Sequence, residues 1–293
     1  MWRRKTEHLK MCILSWCVKM KQNKKSRRYA VIFHKDIDEF RSNLLITIPL
    51  FILPVVMAVV LPVVTIYPIS NMDMSNYSID TERLENTSIH SPIPIESLSP
   101  KGLLVVLVLN AFVPFFMVIP AVIPSVIAAH SFVGEKNHRT LEALLATPIT
   151  ESELLIGKAL SAFIPSILAS YLAFAMFCIC TDILTYPVFG AYVLPDLFWL
   201  SLVGILTPLI ATLSIVSNIL ISTKVSDVRA AQQLGSLVIV PVIVVFVLSG
   251  VRIVYIDAFM LYIFAIIIAL LDFLIGFIAV KTFKREKILL GRW

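Results

Sequence analysis

Gly134 to Lys158 reads GEKNHRTLEALLATPITESELLIGK and interrupts two long apolar runs, 103–133 and 155–180. Leu141, Leu144 and Leu145 recur at helical spacing, and Glu142 falls on another face. Pro148 ends that short helix. Thr150 and Glu153 then fit a reciprocal cap, each side chain bonding the other's backbone N–H, just before the next apolar run. The stretch therefore predicts a short amphipathic helix held between two membrane spans. Such a helix suits the transfer of a push from a soluble partner.

Composition agrees with a membrane setting. Apolar residues make up 58% of 293 and charged residues 15%, with mean hydropathy +0.90. Soluble domains run at about 45–50% apolar and about 25% charged. Apolar runs near 44–69, 103–133, 155–180, 197–221, 234–250 and 258–280 reach the roughly 17–25 residues that a spanning helix needs. They predict an all-α membrane protein with six transmembrane helices. The 103–133 run exceeds an upright span, so it tilts or bends at Pro114, Pro120 and Pro124. The 234–250 run is at the short limit, with Pro241 as a possible kink.

Charge sets the orientation. Lys and Arg number 12 in residues 1–43, 3 in 134–158, 2 in 222–233 and 5 in 281–293, which is 22 of 25. Basic loops stay inside, so both termini are expected in the cytoplasm of a cell whose plasma membrane holds the chain. The basic balance, including Lys24 to Arg28, is read as topology, and no nucleic-acid partner is expected. The chain divides into a basic cytoplasmic segment, 1–43, a six-span domain, 44–281, and a cytoplasmic tail, 282–293. The outer loop 70–101 belongs to the six-span domain and is too small for an independent core. It carries two glycosylation acceptors by pattern, at Asn76 and Asn86.

Before the first span, Tyr29, Phe33, Ile37, Phe40 and Leu44 fall at i, i+4, i+8, i+11 and i+15. Lys35, Asp36, Asp38, Glu39 and Arg41 fill the other faces. This is an amphipathic helix lying in the membrane interface. Residues 11–18 form a weaker apolar patch without the features of a cleaved signal, and Met20 is an alternative start.

No catalytic chemistry is legible. The four cysteines and five histidines do not fall at metal-ligand spacing. The nucleophile-elbow, zinc-protease and phosphate-loop patterns are all missing. If ATP drives this protein, another polypeptide hydrolyses it. Three polar residues stand inside spans. Asp272 lies nine residues before Lys281, so roughly 13 Å deep by helix rise. It is either a proton or cation site, or an acid that hydrogen-bonds a neighbouring helix. Asn110 and Asn218 read as interhelical hydrogen bonders.

Several patches resemble one family. Glu135, Thr140-Leu141-Glu142, Leu144-Leu145, Pro148-Ile149 and Gly157-Lys158 are similar to the loop after the second span of ABC-2 type permeases, the membrane subunits of ATP-driven exporters. Ser226 and Arg229-Ala230-Ala231-Gln232-Gln233, followed by Gly235, resemble their loop between spans four and five. Phe283-Lys284-Arg285-Glu286 with Ile288-Leu289 resembles their ending. The resemblance runs from about Tyr29 to Leu290. It implies an N-terminal elbow helix, and a cytoplasmic coupling helix between spans 2 and 3. It also implies two ATPase subunits that carry ATP and Mg, and a second permease copy, identical or related. Glu135, Arg139, Leu141, Glu142, Leu144 and Leu145 would contact the ATPase. The mostly apolar spans favour an amphiphilic cargo. Two other classes stay open: a secondary transporter coupled through Asp272, and a membrane anchor or sensor subunit.

Overall fold

The computed structural model describes residues 32–38, 44–72, 91, 94, 98–135, 150–250 and 258–282. Residues 32–38 form helix α1. They are followed by α2 (Leu44–Asn71), α3 (Pro100–Ala129), α4 (Glu151–Phe189), α5 (Leu197–Ser201), α6 (Thr207–Lys224), α7 (Val228–Leu237), α8 (Val240–Gly250) and α9 (Ala258–Thr282). Among the described residues, six stretches are long and apolar enough to cross a membrane: Leu50–Asn71, Pro100–Gly134, Ser152–Phe189, Leu197–Lys224, Val228–Val245 and Phe259–Thr282. Within lipid each backbone polar group must be satisfied inside its own segment, which is why the apolar runs fold as helices.

Local chemistry explains the ends. Ser99 caps α3 by accepting from Gly102 N at 3.2 Å, and Pro100 occupies the first turn, where a missing N–H costs nothing. Thr150 and Glu153 make the reciprocal cap at the start of α4: Glu153 N donates to Thr150 Oγ1 at 3.3 Å, and Thr150 N donates to Glu153 Oε2 at 3.0 Å. Gly190, at φ 68°, ends α4 in the left-handed conformation that a glycine adopts without strain.

Three spans differ from their sequence outlines. The third continues to Phe189, beyond the end of its apolar run at 180. Asp182 makes this possible. Its Oδ1 accepts from Val193 N at 3.0 Å and from Leu194 N at 2.9 Å, so a polar residue inside the helix caps the returning chain. The second is helical through Pro114, Pro120 and Pro124 and ends in a π turn, His130–Gly134. The fifth is divided into α7 and α8 just before Pro241, which has no N–H to donate back to Leu237 O and whose ring crowds that carbonyl. Its first part is the polar stretch read above as a loop. Asp227 starts that helix by accepting from Arg229 N at 3.3 Å.

Two large clusters make up most of the core among the described residues, with a small third one at Ala129, Val133 and Ala231. Near the α4–α5 turn, Phe112, Phe116, Phe174, Phe177 and Trp199 interlock; the Phe116 ring meets Trp199 edge to face at 5.7 Å and Phe174 at 5.8 Å. At the other end, called the base here, Ile32, Ile127, Phe132, Leu154, Ile215 and Ile219 pack together. Outward faces stay apolar: Leu53, Val64, Phe273 and Phe277 are each 60% or more exposed. Such a belt suits contact with lipid chains.

Candidate functional site: a buried charge joint at the base

Lys158 lies two turns inside α4, flanked by Gly157 and Ala159, and is fully buried. A buried ammonium needs partners. Its Nζ lies 2.6 Å from Glu135 Oε2 and donates to Ser131 O and Ser131 Oγ, both at 2.9 Å. It also sits 5.4 Å from the centre of the Phe132 ring. Asp36 Oδ2 on α1 is 3.8 Å away. Ser131 Oγ, at 3.0 Å, donates to that same Asp36 oxygen, and Ser161 Oγ is 3.1 Å from it. Lys35 Nζ pairs with Glu135 Oε1 and lies 3.6 Å from Asp36 Oδ1.

Among the described residues, two ammonium groups thus meet two carboxylates, and these four charges cancel. Burial by itself would raise the Glu135 carboxyl. The charges of Lys158 and Lys35, with their hydrogen bonds, together outweigh burial and hold it below its ordinary value of 4.5. Removing one of the three buried members, Lys158, Glu135 or Asp36, leaves a net charge in a closed space, at a cost of roughly 3–5 kcal/mol.

Chain order gives the joint its meaning. Glu135 is the last described residue before 136–149, and α4 follows Thr150. The Glu135–Lys158 pair therefore links the residue before 136–149 to α4, two turns past Thr150. Asp36 and Lys35 bring α1 to the same point. The π turn at 130–134 is part of it, and such turns recur at functional sites.

A second node stands beside the joint. Asn218 Nδ2, on α6, donates to Ser125 Oγ on α3 at 3.1 Å, and to Ser214 O at 2.9 Å. Ser125 Oγ in turn donates to Gln232 O on α7 at 3.0 Å. Gly235 lies against this amide: a Cβ there would fall 2.5 Å from Asn218 Cγ. Only a residue without a side chain lets α7 approach so closely.

The residues singled out from the sequence are distributed as follows. Glu135 is 5% exposed and belongs to the joint. Arg139, Leu141, Glu142, Leu144 and Leu145 lie outside the described residues. Asn218 bridges helices, whereas Asn110 Nδ2 donates to Val106 O of its own helix at 2.8 Å. Asp272 follows Leu261, Ala265 and Ile268 along the packed side of α9, and neither of its carboxylate oxygens has a hydrogen-bond partner among the described residues. On α1 the buried edge is Ile32 and Asp36, one residue away from the Phe33–Ile37 stripe expected from the sequence. Lys158 provides the reason, since its charge makes burial of Asp36 tolerable. A wholly different feature is an apolar cavity of about 210 Å³ between α2 and α3, lined by Leu53, Met57, Phe112, Phe115 and Phe116 and floored by Phe177.

Sequence reasoning misses Lys158, Asp36, Lys35, Ser131 and Ser161 as a group. The available signal is Lys158 itself, a lone cation two turns into an apolar helix, which asks for a partner.

Six membrane-length helices with a neutral charge joint buried at one end define a multi-pass membrane protein. Comparison with known proteins gives the family: the family model described as ABC-2 family transporter protein matches residues 30–282, and the chain belongs to that family. It is similar to the ABC transporter permease protein NatB of Bacillus subtilis (strain 168), with 29% identity over 181 residues. The match covers 58% of this chain and 46% of NatB, so the chain spans about half the length of the curated relative it matches. No solved structure matches it.

Proposed function

We propose that this chain is the membrane subunit of an ATP-driven exporter, working with a separate ATPase that docks on loop 136–149. The observation that carries the reading is the joint: the Lys158 ammonium, two turns into α4, lies 2.6 Å from the carboxylate of Glu135, the residue before 136–149, and both are buried from water. A loop so anchored can pass a push to α3 and α4 instead of absorbing it. Two ATPase subunits, holding ATP and Mg, would serve two permease copies, with Arg139, Leu141, Glu142, Leu144 and Leu145 on the docking surface. The basic segments favour a cytoplasmic position for the loop and both termini. An amphiphilic cargo suits the apolar spans and the cavity beside α2.

The reading is tested by purifying the tagged chain from native membranes and photolabelling the eluate with azido-ATP. A co-purified, labelled partner with a phosphate loop is expected. A chain that transports without any such partner contradicts it. One observation favours a second reading, an ion-coupled transporter: Asp272 has two buried oxygens and no hydrogen-bond partner among the described residues.

A further inference from the structure

Among the described residues, helix α1 meets the rest of the protein at an apolar anchor, Ile32, and at a charged anchor made by Lys35 and Asp36. Ile32, 2% exposed, packs among Phe132, Leu154 and Leu155. Asp36 enters the joint one turn later. Both anchors therefore rest on the residues that flank loop 136–149. Only five residues, 39–43, separate α1 from the first span, α2.

We propose that Lys158 is a positioning residue that makes α1 move as one body with the feet of loop 136–149, giving the loop a second output into the first span. This rests on the reading above, in which the loop receives the push of an ATPase. Lys158 is suited to the task because it serves both sides: its ammonium meets Glu135 directly and reaches Asp36 both directly and through Ser131 Oγ. Without it, Asp36 loses its cation on α4, and α1 keeps only the partly exposed Lys35 as a charged link to Glu135. The loop would then still accept the ATPase, but its motion would reach α3 and α4 and leave α1 behind.

Charge balance separates this role from plain stability. Lys158→Gln alone leaves one uncompensated negative charge. Lys158→Gln with Asp36→Asn is neutral again, because Lys35 still faces Glu135. The amide oxygen introduced on α1 can still accept from Ser131 and Ser161. If Lys158 only stabilises the base, the double variant recovers both folded yield and transport. If Lys158 positions α1, folded yield and ATPase capture recover, while transport per ATP hydrolysed in proteoliposomes stays down by roughly 5- to 100-fold, the span of a typical coupling between sites. Coupling equal to wild type in the double variant overturns the proposal.

Should the double variant fail to fold, spin labels decide in its place. His34 on α1 and Ser152 on α4 are both exposed and can carry them. The 34–152 distance is expected to stay fixed when ATP is added to the assembled wild-type transporter. A shift in that distance on ATP binding overturns the proposal. Failure of the underlying reading shows separately, as a wild-type chain that captures no ATPase, and the proposal falls with it.

Discussion

Lys158 Nζ stands 2.6 Å from Glu135 Oε2, with one residue on each side of loop 136–149, and both side chains are buried. Lys158→Ala is expected to destabilise the solubilised protein by about 3–5 kcal/mol, through the carboxylates it leaves uncompensated. Lys35→Ala should cost clearly less, since the Lys35 side chain is 19% exposed and water can replace it. Thermal melts of both variants in one detergent check the order. Equal melting temperatures for the two would contradict the joint as described.

Gly235 and Asn218 make a second pair that a single methyl group disturbs. Gly235→Ala would force its Cβ into the Asn218 amide and should cost roughly 1–3 kcal/mol by overpacking. Asn218→Ser added to it should recover part of the loss by opening the space. A double variant no more stable than Gly235→Ala would show that α7 is not held at this contact.

Asp272→Asn should retain most transport. Neither carboxylate oxygen makes a hydrogen bond that an amide would lose, and Asn removes only the charge. Transport abolished at normal expression would favour the ion-coupled reading, with Asp272 as the binding group.

Orientation follows from the basic asymmetry. Single cysteines at Ser88 and Ser226, in a cysteine-free background, should label differently with an impermeant reagent in intact cells. Ser88 should react and Ser226 should not. The reverse pattern would invert the topology.

Much of this fold is legible because membrane spans declare themselves by length and apolarity. The reciprocal cap at Thr150 and Glu153, the break before Pro241 and the existence of six spans follow local rules that a sequence displays. The third span's true end is hidden because Asp182 and its threonine neighbours read as an exit from the membrane. The role of Asp182 appears only once the chain returns at Val193 and Leu194 to meet it. The joint is hidden for a similar reason. Lys35 and Asp36 look like the wet face of an amphipathic helix, and their partners are far away in the chain. Lys35 and Glu135 stand 100 positions apart, and Asp36 and Ser161 stand 125 apart. Long-range charge pairing leaves no periodic trace. Resemblance marks Glu135 as a docking contact, and the structure gives it two charged partners in a buried position instead of an open face.

Loop 136–149 is the proposed seat of the ATPase, and everything said of the joint's purpose depends on it. Leu141 and Leu145 would fill a groove on that subunit, with Arg139 and Glu142 at its rim. Losing a buried anchor often costs about 2 kcal/mol or more in binding, and a rim charge costs less. The deciding measurement is recovery of the ATPase by pull-down in detergent, at equal expression, for wild type, Glu142→Ala, Glu142→Lys and the Leu141→Ala/Leu145→Ala double variant. Recovery should be close to wild type for Glu142→Ala, lower for Glu142→Lys and lowest for the double variant. Recovery from the double variant equal to wild type would contradict docking at this loop.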